Sequence, residues 1–142
     1  MGKAYELTKM TLWQRGAINL SLSGTGYTRL WAGGNLRTYE VWGALNPDFT
    51  YNPDEHGGDF GTDWVLLQTC TVNRPSGNFL AEGNTSRTDN AVPDVAAAQA
   101  GNECSFTYTG KVQYLRIKTI DNWDYQRRGY INIASIKLMA KY

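Results

Sequence analysis

The sequence predicts an all-β antiparallel sandwich with one short helix, on three observations. Apolar and polar residues alternate with period two through most of the chain, the pattern of half-buried strands. Gly, Pro and Asn interrupt these runs, with 15 Gly among 142 residues, as a fold with many tight turns requires. Charged residues make up 19% and aromatics 13% of the chain. Set against a typical charged share of about 25%, that balance suits a β-rich chain.

Taken in order, Tyr5 to Arg15 reads as a strand, with Thr8, Met10 and Leu12 on one face and Leu7, Thr11 and Trp13 towards the other. Asn19 to Asn35 is a long connection punctuated by Gly24, Gly26, Gly33 and Gly34. Arg37 to Gly43 is a second strand, in which Tyr39 and Val41 share a face against Thr38, Glu40 and Trp42. The loop that follows contains two Asn-Pro pairs and a Gly-Gly, which disfavour regular structure. Trp64 to Val72 is a third strand, ended by Pro75-Ser76-Gly77. Asn90 to Gly101 holds the one helix signal: Pro93 suits a first turn, Ala96 to Ala98 favour helix, and Gly101 is placed to end it. Glu103 to Tyr108, Val112 to Asp121 and Tyr130 to Ala140 complete six strands. Strands at irregular spacing without alternating helices argue against an α/β fold. No repeat or linker divides the chain, so residues 1–142 form a single domain.

Composition excludes several classes. A chain this rich in aromatic and branched residues buries enough apolar surface to offset its ordering entropy, so it is not disordered. No apolar run reaches the roughly 18 residues of a membrane-spanning helix, and the opening MGKAYELTKM carries no signal-peptide core. Cys70 and Cys104 fit a bridge or two reduced core thiols, and their spacing is not that of a metal site. The net charge of +1 hides a segregation: residues 44–63 hold five acidic and no basic residues, whereas 111–142 hold seven basic and two acidic. The acidic loop, with Asp48, Asp54, Glu55, Asp59 and Asp63, reads as a solvated turn or as a segment lying opposite the basic ends.

Catalytic machinery is not legible. His56 is the sole histidine and lies in a Gly-flanked loop, and no G-x-S-x-G element accompanies it. The acidic loop offers carboxylates but no spacing that selects a glycosidase pair. Phosphate-cradling motifs are missing, and the loop fails the D-x-[DN]-x-[DN]-G calcium pattern, leaving Asp54, Glu55 and Asp59 as a looser oxygen-ligand set.

A family resemblance rests on Trp13-Gln14-Arg15, the run Tyr39 to Gly43, Arg74-Pro75-Ser76-Gly77 and Tyr114 to Lys118, in that order along nearly the whole chain. These segments resemble the C-terminal discoidin-like module of bacterial surface proteins from glycan-utilisation systems, a domain of unknown function related to factor five/eight type C and galactose-binding-like domains. The resemblance implies a jelly-roll β-sandwich, a location outside the cell or on its surface, and a non-catalytic role in glycan binding or surface attachment. It also implies strands ahead of Tyr5, so the fold expected here lacks its N-terminal strands. The chain is then a shortened piece of a longer protein or begins inside its module. A missing strand leaves an exposed sheet edge open to association. Several relatives hold calcium with a late carboxylate; Ala134 stands at that place, so no metal or other cofactor is expected.

A sugar site needs an aromatic face and a few polar groups of fixed geometry. The connection from Asn122 to Gly129 supplies Trp123, Tyr125 and Arg127; Trp123 reads first as closing the end of the sandwich core and second as a ligand contact, so Tyr125 and Arg127 are the better candidates. Trp31 stands in a Gly-rich loop as a stacking face, and His56 is placed to bond a sugar hydroxyl. Arg15 follows the first strand, where the resemblance implies a binding rim. Trp13, Trp42 and Trp64 fall on strands and read as packing residues. The expected ligand is a glycan or polysaccharide, with neither nucleic acid nor a membrane span. The basic end keeps an anionic partner (acidic glycan, phospholipid headgroup or nucleic acid) as the alternative, beside a purely structural accessory role.

Overall fold

The computed structural model describes residues 2–18, 20–77, 90–124 and 130–141. Nine strands and one helix follow in chain order among them: β1 (Tyr5–Trp13), β2 (Ala17–Ile18), β3 (Tyr27–Thr28), β4 (Gly33–Ala44), β5 (Val65–Thr71), α1 (Val92–Ala100), β6 (Asn102–Ser105), β7 (Lys111–Val112), β8 (Tyr114–Trp123) and β9 (Ser135–Ala140). β1 is the hub of one sheet and pairs with β6, β7 and β9; β4 is the centre of the other, between β5 and β8. Both sheets are antiparallel, and β2 and β3 form a small ribbon of their own. The result is the expected β-rich, sandwich-like arrangement.

The core lies between the sheets. Tyr39 and Val41 face it from β4, as the alternation predicts, and Leu36, Leu67, Val72, Val112 and Trp123 join them. On β1 the predicted phase is corrected. The register against β9 shifts between Leu7 and Lys9, inserting one residue. A bulge of this kind reverses the side-chain alternation beyond it. Leu7 therefore shares the core with Met10 and Leu12, while the Thr8 hydroxyl donates to the Met139 carbonyl. Tyr39 is wholly buried, and that burial pushes its phenol up to about 12, against a smaller opposing effect of Asn102.

One side of the sandwich is closed covalently. Cys70 of β5 and Cys104 of β6 form a disulfide, their Cα atoms 5.8 Å apart, which settles the choice the sequence left open. Alongside it the Thr107 N–H donates to the Leu67 carbonyl at 3.3 Å. On the other side β8 and β9 each have one ladder partner among the described residues. Inward-facing Leu115, Ile117 and Leu138 are only partly buried there.

Helix α1 packs beside β1 and contributes Val95 and Ala98 to the core. Gly101 ends it at φ +82°, and a Cβ there would lie 2.7 Å from both Thr11 and Trp13 side-chain atoms, so both conformation and space require glycine. Trp13 donates its Nε1–H to the Gln99 carbonyl at 3.0 Å. The helix also explains the Arg74-Pro75-Ser76-Gly77 run. Asp94 is 0% exposed. It accepts from Arg74 Nε at 2.8 Å, the Ser76 N–H at 2.9 Å and the Ser76 hydroxyl at 2.6 Å.

The acidic loop folds against the outer face of the β5-β4-β8 sheet. Phe60 packs edge-on to Trp42 with ring centroids 5.4 Å apart, and Arg116 lies over the Trp64 ring at 4.3 Å. Lys118 donates to the Gly58 carbonyl at 3.0 Å. Several of the acids shape turns: Asp48 accepts from the Thr50 N–H and hydroxyl, Asp59 from the Gly61 N–H, and Asp63 from the Asp48 N–H. The Thr50 hydroxyl and N–H hold the Asp48 carboxyl below its ordinary range.

Candidate functional site

Where β1 ends, the chain passes Gln14 and Arg15 and enters the connection to β4. Two non-glycine residues in that connection have left-handed backbones, Arg29 at φ +66° and Trp31 at φ +53°. Such conformations cost of order 1–2 kcal/mol each for an L-residue, so the surroundings must hold them. Asn35, 1% exposed, does so. Its amide donates to the Arg29 carbonyl at 2.8 Å and the Arg15 carbonyl at 3.0 Å, and its oxygen accepts from the Arg15 N–H at 2.9 Å. Gln14 accepts from the Trp31 N–H at 2.8 Å. The buried amides thus tie the backbones of Arg15 and Arg29 into one frame.

A cleft of about 260 Å³ opens above that frame, lined by Arg15, Arg29, Ala32, Gly33, Tyr130 and Asn132. Asn132 reaches it through a parallel bridge to Asn35, its N–H donating to the Gly34 carbonyl at 2.7 Å. Arg15 Nη1 donates to Asn132 Oδ1 at 3.4 Å. Tyr130, 45% exposed, forms a wall of the cleft. Its position depends on glycine: a Cβ on Gly34 would lie 2.5 Å from the Tyr130 carbonyl oxygen and 2.6 Å from its ring. We therefore expect Gly34→Ala to displace this wall and cost about 1–3 kcal/mol of stability, as overpacking does. Urea denaturation and the ring resonances of Tyr130 report the two effects; an unchanged midpoint and unshifted resonances would contradict the packing described.

Arg15 is exposed and lines the cleft. The expectation of a surface-exposed Trp31 is corrected: Trp31 and Trp123 are each 2% exposed and pack edge to face, centroids 5.6 Å apart. Neither ring offers a stacking face to a ligand, because the backbone of the connection turns Trp31 inward and Arg37 lies 5.1 Å over Trp123. His56 is exposed at the end of a 3-10 turn, stacked on Tyr51 at 4.4 Å, and is not part of the cleft lining. Tyr125 and Arg127 lie outside the described residues. Among the described residues no three His, Cys, Asp or Glu side chains converge as metal ligands.

Sequence reasoning missed Arg29, Tyr130 and Asn132. The first lies inside a Gly-rich connection, and the other two precede the ladder of β9 in a segment read as strand. Asn122 marks that segment, since it accepts from the Asp124 N–H at 3.0 Å and donates to the Tyr130 carbonyl at 3.4 Å.

Residues 1–140 match the family model DUF5000, described as a domain of unknown function. The chain belongs to this family. No curated protein matches the chain. Among solved structures, a chain described as a SusE-like protein is similar in fold, with a TM-score of 0.66 at 22% identity. The alignment covers 98% of this DUF5000 chain and 65% of the solved one, so the chain spans somewhat less than two thirds of that protein's length. No helix among the described residues is long and apolar enough to cross a membrane.

Proposed function

We propose that the chain is a non-catalytic module that binds carbohydrate at the cell surface, and that the Arg15–Arg29–Tyr130–Asn132 cleft is its binding site. The observation that carries this reading is the cleft itself. An exposed aromatic ring, an amide and two guanidinium groups meet on a backbone held by buried Asn35. Saccharide recognition asks for this combination, an aromatic surface for the ring's apolar face and fixed polar groups for its hydroxyls. The size suits a single sugar ring, being slightly below the roughly 300–1,000 Å³ of drug-sized sites.

The resemblance to discoidin-like modules of surface glycan-utilisation proteins points the same way, as does the likeness of fold to a SusE-like protein. The jelly-roll arrangement of that class is compatible with the two sheets described, closed by a disulfide on one side. Both cysteines are consumed by the disulfide, and the histidine Nδ1 faces the Asn52 carbonyl rather than a nucleophile, which favours binding over catalysis.

A glycan array tests the reading. The folded chain is expected to retain at least one glycan, and Tyr130→Ala and Asn132→Ala to weaken that binding about tenfold or more, equivalent to about 1.4 kcal/mol each. Circular dichroism establishes that each variant is folded. No binding to any glycan, or binding indifferent to both substitutions, would overturn the assignment.

A further inference from the structure

Five arginines fall among the described residues, at positions 15, 29, 37, 74 and 116. Three are engaged within the protein. Arg37 pairs with Asp121, Arg74 pairs with buried Asp94, and Arg116 lies over the rings of Trp64 and Phe60. The remaining two, Arg15 and Arg29, have no ion pair among the described residues. Both are exposed, and both line the same cleft, whose lining among the described residues includes no acidic side chain. Two like charges lining one cleft without a counter-charge among the described residues repel one another, so sharing it has an electrostatic cost that an anionic ligand would relieve. Arg29 is moreover presented from a left-handed backbone held by Asn35, a conformation that a merely solvated arginine does not require.

From this juxtaposition we infer that the cleft selects an acidic saccharide, one whose pyranose ring carries a carboxylate or a sulfate ester. The inference rests on the binding-site reading above and narrows its ligand class. A guanidinium presents paired N–H donors in a plane, a geometry that fits the oxygens of a carboxylate or sulfate better than a neutral hydroxyl. Arg15 and Arg29 hold the anionic substituent, Asn132 bonds a ring hydroxyl, and the exposed ring of Tyr130 lies against the sugar's apolar face. Asn35 touches no ligand and acts as a positioning residue for both arginine backbones.

The test uses paired probes on an array and in calorimetry. Oligogalacturonates and oligoglucuronates are compared with their methyl esters, which keep the ring and remove the charge; sulfated galactan oligosaccharides are compared with their desulfated forms. The expected result is that at least one acidic probe binds tenfold or more tightly than its neutral counterpart. Arg15→Gln and Arg29→Gln should each abolish that difference while leaving the thermal midpoint within a few degrees. Preference confined to uronates or to sulfated probes identifies which anion the cleft takes. Raising the salt concentration weakens acidic-probe binding selectively. Equal binding of charged and neutral members overturns the acidic selectivity and leaves saccharide binding standing. Retention of the preference in both arginine variants overturns the assignment to these residues. Failure of every glycan, acidic or neutral, to bind the folded chain overturns the binding-site reading and this inference together.

Discussion

Replacing Asp94 with alanine is expected to lower the stability of the domain by about 3–5 kcal/mol, the range for removing one partner of a buried ion pair. The carboxylate is wholly buried, and the Arg74 side chain beside it is only 10% exposed. Alanine leaves a guanidinium and the Ser76 N–H and hydroxyl without their acceptor, and each unmet buried donor costs free energy of its own. The effect extends beyond α1, because the same carboxylate fixes the turn that follows β5. Asp94→Asn keeps the shape and removes the charge, so it should fall between the wild type and alanine. The pH dependence has a definite sign. Burial by itself raises the Asp94 carboxyl, but hydrogen bonds from Ser76 and the Arg74 guanidinium outweigh it and hold the group below its ordinary range. A carboxyl depressed by folding contributes stability that is complete above its unfolded value near ~3.9 and is lost as the pH falls through the folded value. The gap between wild type and Asp94→Asn should therefore be full at neutral pH and close progressively below about pH 4. Chemical denaturation at several pH values measures it; a constant gap down to strong acid would contradict the pairing.

The second large effect is expected on removing the disulfide. Cys70 and Cys104 are 34 residues apart, and a closed loop of that length restricts the unfolded chain by about 3–4 kcal/mol on the chain-entropy account. The bridge also joins β5 to β6, so its loss frees the side of the sandwich where the two sheets meet. The double variant Cys70→Ala/Cys104→Ala should unfold at markedly lower denaturant, and reduction of the wild type should reproduce much of the shift. A midpoint insensitive to reductant would show that the bridge adds nothing to stability.

What was legible in the sequence follows from the range of the interactions involved. Period two exposed the long strands and the inner face of β4, because alternation is a local property. The helix was legible through Pro93 and Gly101, which act on their own backbone. The phase of β1 was not, since the bulge between Leu7 and Lys9 is a feature of its pairing with β9, more than a hundred residues away in sequence. Trp31 failed for a related reason. Its Gly-rich neighbours suggest an open loop, whereas its orientation is set by Gln14 and by the edge of Trp123. The short strands β2, β3 and β7 have two residues each, too few for any period to register. The cleft draws on the segments around residues 15, 29, 33 and 130–132, brought together by the buried Asn35. No spacing in the chain announces that meeting, although Arg15 was singled out at its rim.

The most direct measurement of where a saccharide binds is a two-dimensional NMR titration of the isotopically labelled chain with the tightest-binding glycan from the array. Shifts are expected at Arg15, Arg29, Gly33, Tyr130 and Asn132, with the acidic loop from Asp48 to Asp63 unmoved. Shifts that leave those cleft residues untouched and gather on the acidic loop would contradict that site.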